Sequence, residues 1–236
     1  MSKLACLAFL LLGAASISQG QERQSLADVS LGRLTEESQR IADNADFDLV
    51  WWIPPEFWEV SFLQDATMTP SGVATFMESL HGISMVGVIQ ADVSPFGSFV
   101  FADREVVRKG LSVSFLPDDG RPRRLNPIET LGPDLELLLS QITPILSAAM
   151  GSAGENFHFF VFGDVGDGNN GERVVSPYDS GELAIRLAGR TPDSPLEFVI
   201  ELPMDSLFVP RMCPNGKAAH VSWNYCPWDG SRLAGD

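Results

Sequence analysis

Glu182-Leu183-Ala184-Ile185-Arg186-Leu187-Ala188 and Leu196-Glu197-Phe198-Val199-Ile200-Glu201-Leu202 are two runs in which every second residue is large and apolar. Side chains alternate across an extended chain, so Leu183, Ile185 and Leu187 share one side of one strand, and Leu196, Phe198, Ile200 and Leu202 share one side of the next. One apolar side and one polar side is the pattern of antiparallel sheets that face water on one surface. Upstream, Phe157 to Phe162 predicts a further strand, separated from these by Gly163 to Ser180, a stretch full of Gly, Asn and Asp. Ile83 to Val93 is rich in β-branched residues and predicts another strand. Phe96 to Phe101 follows it across a turn at Pro95-Phe96-Gly97, and Leu111 to Leu116 ends at the Asp118-Asp119-Gly120 turn.

Helical spacing lies between and before these strands. Leu31, Leu34, Ile41 and Ala45 predict an amphipathic helix leading into the domain. The apolar run Phe47 to Ile53 is stopped by Pro54-Pro55, after which Glu56 to Gln64 starts a helix carrying Phe57, Trp58 and Phe62. Thr69-Pro70 opens another, with Thr69 as N-cap, an apolar face of Val73, Phe76, Met77 and Leu80, and Gly82 as its stop. Asp103 to Lys109 predicts a short helix closed by Gly110. Pro133 to Met150 predicts a long one, with Pro144 expected to kink or split it. Short strands with turn-bearing loops, interspersed with helices, predict an α+β fold: a mostly antiparallel sheet with helices packed on one face.

The chain starts with Met1-Ser2-Lys3, an apolar run Leu4 to Leu12, and a small or polar stretch ending at Gly20. These are the parts of a cleavable secretory signal peptide, and the apolar run is shorter than the about 20 residues that span a bilayer. Cleavage after Ser18 or Gly20 would start the mature chain at Gln19 or Gln21, in the periplasm or outside the cell. Cys6 lies too early in the run to accept a lipid. No later segment is apolar for long enough to span a membrane. Across the whole chain 31 acidic residues stand against 16 basic ones, a formal net charge of −15. That balance argues against nucleic acid and against anionic membranes as partners. After cleavage only Cys213 and Cys226 remain, and an even pair in an oxidising compartment reads first as a disulfide.

Residues 213–230 read Cys-Pro-Asn-Gly-Lys-Ala-Ala-His-Val-Ser-Trp-Asn-Tyr-Cys-Pro-Trp-Asp-Gly. This resembles the bacterial zinc ribbon of the Cys-Pro-x-Cys-Gly type, in which two such knuckles hold one zinc. Cys213-Pro214 and Cys226-Pro227 match the knuckle starts. Trp223 and Tyr225 match the aromatic before the second knuckle, and Gly230 and Leu233 match its ending. The second ligand of each knuckle is missing: Gly216 stands at one position, with Lys217 beside it, and Asp229 at the other. A structural zinc site takes four ligands, and Cys213, His220, Cys226 and Asp229 are an unusual set for one. The resemblance therefore implies a ribbon-like tail in which the metal is either held unusually or replaced by a Cys213–Cys226 disulfide. In the chain-entropy view, closing that loop is worth about 3 kcal/mol. Trp51-Trp52-Ile53-Pro54-Pro55-Glu56-Phe57-Trp58 and Cys226-Pro227-Trp228-Asp229-Gly230 together resemble a group of exported bacterial proteins to which no activity attaches, so that likeness implies export alone. The organisation expected is a signal peptide at 1–20, a helical lead-in at 21–46, an α+β core at 47–210 and a small C-terminal ribbon-like appendage at 211–236.

No signature of chemistry dominates. His81 and His158 have no Gly-x-Ser-x-Gly, His-Glu-x-x-His or phosphate loop to accompany them. Gly166-Asp167-Gly168-Asn169-Asn170-Gly171 matches Gly-x-Gly-x-x-Gly, yet no helix opens after it, and Asp164 and Asp167 would repel a pyrophosphate. Asp164, Asp167 and Asn169 offer oxygen ligands for calcium among tight turns, without the spacing of a known calcium loop, and a solvated hairpin loop is the alternative. Trp51, Trp52, Phe57 and Trp58 read as core, with Glu56 and Glu59 beside them. Arg121, Arg123 and Arg124, the one basic cluster, read as a solvated turn, with a contact to an anion or an acidic partner as the alternative. The function expected is that of an exported bacterial envelope protein, a non-enzymatic binding or structural module for an unknown protein or small molecule. No cofactor beyond the zinc alternative is expected. An exported hydrolase assembled from distant residues and a metal-binding protein are the alternatives.

Overall fold

In the computed structural model, residues 21–42, 46–64, 69–118, 120–166, 171–189, 191 and 194–233 are described; the signal peptide expected at 1–20 lies outside them, as do Asp167 and Asn169. The chain begins with helix α1 (Leu31–Ser38), capped by the Ser30 side chain, which accepts from Arg33 N–H. The expected helix through Ala45 stops at Ser38, because Gln39–Ile41 leaves it as strand β1 and pairs with Trp51 to Leu49 of β2 (Phe47–Ile53). An eight-residue helix is marginal alone, and a sheet edge competes for the same backbone groups. After the two prolines come α2 (Pro55–Gln64) and α3 (Pro70–Ser79), where Thr69 accepts from Gly72 N–H and Gly82 takes φ 71°.

The longest strand, β3 (Ile83–Val93), turns through Ser94 to Ser98 into β4 (Phe99–Phe101), shorter than the strand expected there. Then follow α4 (Arg104–Gly110), β5 (Ser112–Pro117) and β6 (Arg123–Pro127). β6 corrects the solvated turn expected at 121–124. Arg123 and Arg124 pair with Phe115 and Ser114 in the sheet and are both exposed, while Leu125 is buried in the core. Next come α5 (Pro133–Met150), α6 (Ser152–Glu155), β7 (His158–Gly163), β8 (Gly181–Leu187) and β9 (Leu196–Leu202). α5 runs through Pro144 as one helix and is not split there. Pro144 is exposed, so the carbonyl it leaves without an N–H partner is on the solvent side.

The strand order is β1-β2-β3-β7-β6-β5-β8-β9, with β4 beside β3, and every pairing is antiparallel among the described residues. The α+β class with a large antiparallel sheet is what the alternating runs predicted. The sheet curls until its two ends meet: Arg40 of β1 donates from Nε to the Val199 carbonyl of β9 at 2.9 Å. One wall of the curl (β5, β8, β9) buries alternate residues, among them Val113, Leu183, Ile185, Phe198 and Ile200. The other wall (β2, β3, β7) is buried on both faces. By register, Val50, Trp52, Val86, Val88 and Phe160 share one face; Leu49, Trp51, Ile53, Met85 and Phe159 share the other. Trp51 meets Phe57 of α2 edge-on at 4.9 Å and Phe157 at 6.2 Å, so the second face lies under the helical layer. Gly87 lies on that face, and a Cβ there would run into the Phe157 ring.

The tail forms its own two-stranded sheet, β10 (Arg211–Met212) with β11 (Ala218–Ala219), and its own small core of Cys213, Ala219, Cys226 and Leu233. Val221 N–H donates to Asp205 Oδ1 at 2.7 Å and ties the tail to the body.

Candidate functional site

Each Cys-Pro pair in the tail opens a tight turn. Cys213 N–H donates to the Lys217 carbonyl and Gly216 N–H to the Cys213 carbonyl, with Gly216 at φ 79°. Cys226 N–H donates to the Ser231 carbonyl and Gly230 N–H to the Cys226 carbonyl, with Gly230 at φ 71°. Both turns need a left-handed residue at their close, and glycine supplies it. The two turns face each other with the cysteine Cα atoms 5.7 Å apart and the sulfurs at disulfide distance.

The other two residues of the unusual ligand set are engaged elsewhere. Asp229 Oδ1 accepts from Ser231 N–H at 2.9 Å and Ser231 Oγ at 2.7 Å, and these bonds hold its carboxyl below the usual range. His220 Nδ1 lies 2.8 Å from Ser222 Oγ, and its ring leans on Trp223. Among the described residues no group of three or more His, Cys, Asp or Glu side chains is placed to hold a metal ion. Around the turns stand three exposed aromatics, Trp223, Tyr225 and Trp228. Trp223 and Trp228 meet edge-on at 6.1 Å, and Lys217 Nζ lies 4.9 Å over the Trp228 ring. Arg211 Nη2 donates to the carbonyls of His220, Val221 and Trp223, which fixes the loop that carries the aromatics.

Asp164, one of the three calcium-loop residues, lies at the end of β7, fully buried. Its carboxylate accepts from Val175 N–H at 2.9 Å and from Arg173 Nε at 3.3 Å. Arg173 Nη1 reaches Glu56, in the first turn of α2, at 2.9 and 3.2 Å. Burial pushes the carboxyls of both Glu56 and Asp164 upward, and the Arg173 charge offsets this only in part. Arg173 Nη2 is itself buried without a partner among the protein atoms. Beside this triad opens a cleft of about 830 Å³, lined by Phe115, Asp118, Arg123, Glu172 and Asp179 as well as Arg173. Nothing in the spacing of residues 56, 164 and 173 announces the triad; it exists because α2, β7 and the segment before β8 converge there.

Of the remaining sequence candidates, His158 Nε2 lies 3.2 Å from the Ala102 carbonyl, half-buried, and burial lowers its pKa. His81 is exposed beyond α3. Neither has a carboxylate within hydrogen-bonding distance among the described residues. Trp52 is fully buried and donates to Ser84 Oγ at 2.7 Å, while Trp51 donates to Ser38 Oγ at 3.0 Å. Trp58 packs between Phe62 and Phe76, joining α2 to α3. Among the described residues no helix is long and apolar enough to cross a membrane. No family model, no curated protein and no solved structure matches this chain.

Proposed function

We propose that the protein is an exported, non-enzymatic binding module of the bacterial envelope. In this reading a Cys213–Cys226 disulfide closes a metal-free ribbon, and the aromatic surface on that ribbon makes the contact with a partner protein. The observation that carries the reading is the trio Trp223, Tyr225 and Trp228, left exposed on a tail pinned by its cysteine pair and by Arg211. Tryptophan and tyrosine are enriched where protein interfaces concentrate their binding energy. A surface held rigid before binding loses little freedom on binding. The signal-like residues 1–20 and the pairing of the two cysteines left after them support the location.

The full chain, expressed with its own N-terminus in a bacterium, is expected in the periplasmic fraction, starting at Gln19 or Gln21. It should resist thiol alkylation until reduced and carry no zinc. A photo-crosslinking residue at position 225 should then give a discrete adduct in cells that is absent when the same residue replaces exposed Glu182. Trp228→Ala should remove the adduct. An uncleaved cytoplasmic chain, an equivalent of zinc, or no adduct at 225 would each overturn the corresponding part of the reading.

A further inference from the structure

Arg104 opens α4 in the body of the protein, away from the tail, and is exposed as a residue. Its Nη1 donates to the Phe159 carbonyl at 2.7 Å, and its guanidinium lies 4.7 Å over the Phe160 ring. No carboxylate lies within ion-pair distance of it among the described residues. Its acidic neighbours are taken: Arg108 binds both Glu105, at 2.9 Å, and Glu129, at 3.0 Å. Partial desolvation, and then the Arg108 charge beside it, lower the pKa of Arg104, and the Glu105 charge offsets this in part. The guanidinium borders a cavity of about 350 Å³ lined by the Arg108, Glu105 and Glu129 cluster and by apolar residues that include Leu111, Ile128, Leu131, Phe160 and Phe162. The carboxylate of Glu136, on the rim, is the lining acid without an arginine partner. A concave apolar site of a few hundred Å³ with a small number of placed polar groups is the usual form of a small-molecule pocket.

We propose that this cavity binds a small monocarboxylic acid with an apolar tail, its carboxylate on the free Nε and Nη2 edge of Arg104 and its tail over Ile128, Leu131 and Phe162. The guanidinium edge presents two parallel N–H donors that match a carboxylate's two oxygens. A cationic ligand would meet Arg104 without gaining a free acid other than Glu136. A longer or more polar anion would leave the apolar lining uncovered. This site lies apart from the aromatic tail, and its test depends on neither export nor the disulfide.

Titration calorimetry of the mature protein with octanoate, acetate and octylamine distinguishes the contributions. Octanoate is expected to bind. Shortening its tail should weaken binding roughly fourfold per methylene removed, leaving acetate without measurable binding, and octylamine should bind more weakly than octanoate. Arg104→Met, which keeps the stem over Phe160, should weaken octanoate by roughly tenfold or more. Glu136→Gln should tighten it severalfold, a gain that misfolding cannot mimic. The proposal is overturned if octylamine binds as well as octanoate, if Arg104→Met binds octanoate unchanged, or if millimolar octanoate gives no heat with either the parent protein or Glu136→Gln. It is also overturned if N-acetyl-alanyl-leucine outcompetes octanoate, since the occupant would then be a peptide chain end.

Discussion

Replacing Arg173 by methionine should be among the most damaging single changes to the body of this protein. The methionine keeps much of the arginine's length and removes its charge. Left behind are Asp164, with no solvent exposure, and Glu56, whose side chain is 12% exposed, each deprived of the hydrogen bonds at 3.3 and 2.9 Å that Arg173 made to them. Removing one partner of a buried ion pair costs about 3–5 kcal/mol, because the remaining charge stays buried and uncompensated. For a chain of this size such a loss lowers Tm by about 10 °C. The pH dependence gives the argument its sign. Both carboxyls have folded-state pKa values raised above their ordinary ones, burial being the larger cause. The native state therefore binds protons more readily than the unfolded chain, and the stability these groups contribute is greatest at acid pH and falls as pH rises through the raised values. Without Arg173 both values rise further, so the variant recovers more than the parent on acidification. Urea unfolding at about pH 7.5 and about pH 5 should show the gap between variant and parent narrowing at the lower pH. Adding Glu56→Gln and Asp164→Asn to the variant should restore most of the loss, since a neutral set no longer buries charge. A loss below about 1 kcal/mol that is equal at both pH values would refute the reasoning, because it would mean the triad is hydrated like a surface pair.

Gly87→Ala should cost about 1–3 kcal/mol, since the new methyl collides with the Phe157 ring beneath the helical layer; urea unfolding measures it, and an unchanged midpoint would show that Phe157 moves aside freely. Cys213→Ser should release the tail while leaving the body intact, because Cys213 and Cys226 pack in a small core of their own, separate from the main one. The cost, about 3 kcal/mol in the chain-entropy model, should appear as new proteolytic cleavage within 211–233 with the main thermal transition unshifted, and a tail as resistant as the parent's would count against the pairing as its staple.

Where one face of a strand is wet, the sequence was legible. β8 and β9 alternate because their outer sides carry Glu182, Arg186, Glu197 and Glu201, all exposed. The Thr69 cap and the Gly82 stop were legible for a related reason: each is a local device whose partners lie within a few residues. β2 was not read as a strand, since helices cover one of its faces and the curled sheet the other, and burial on both sides erases alternation. β6 was missed because only Leu125 is buried among exposed residues, which leaves no period to detect. The cysteines could be paired by the expectation that Cys6 leaves with a signal peptide, which leaves only Cys213 and Cys226.

The charged groups follow the opposite rule from the strands. Arg104 and Arg173 carry no local signal, since what distinguishes them is what the fold leaves them without: among the described residues no acid lies within ion-pair distance of Arg104, and one nitrogen of Arg173 is buried with no acceptor. By sequence, Arg121, Arg123 and Arg124 read as a solvated turn, and Arg123 and Arg124 are indeed exposed, though on a strand. A charge becomes informative when the fold withdraws it from water and does not fully compensate it, because the remaining deficit is the free energy a ligand or a partner can recover. The Arg104 cavity is a candidate small-molecule site because its guanidinium meets no acid beside an apolar lining. The Arg173 triad lies closer to balance, with two carboxylates already on its guanidinium. The tail aromatics are a third kind of case, apolar surface left in water, and the burial they lack is what a partner protein would supply.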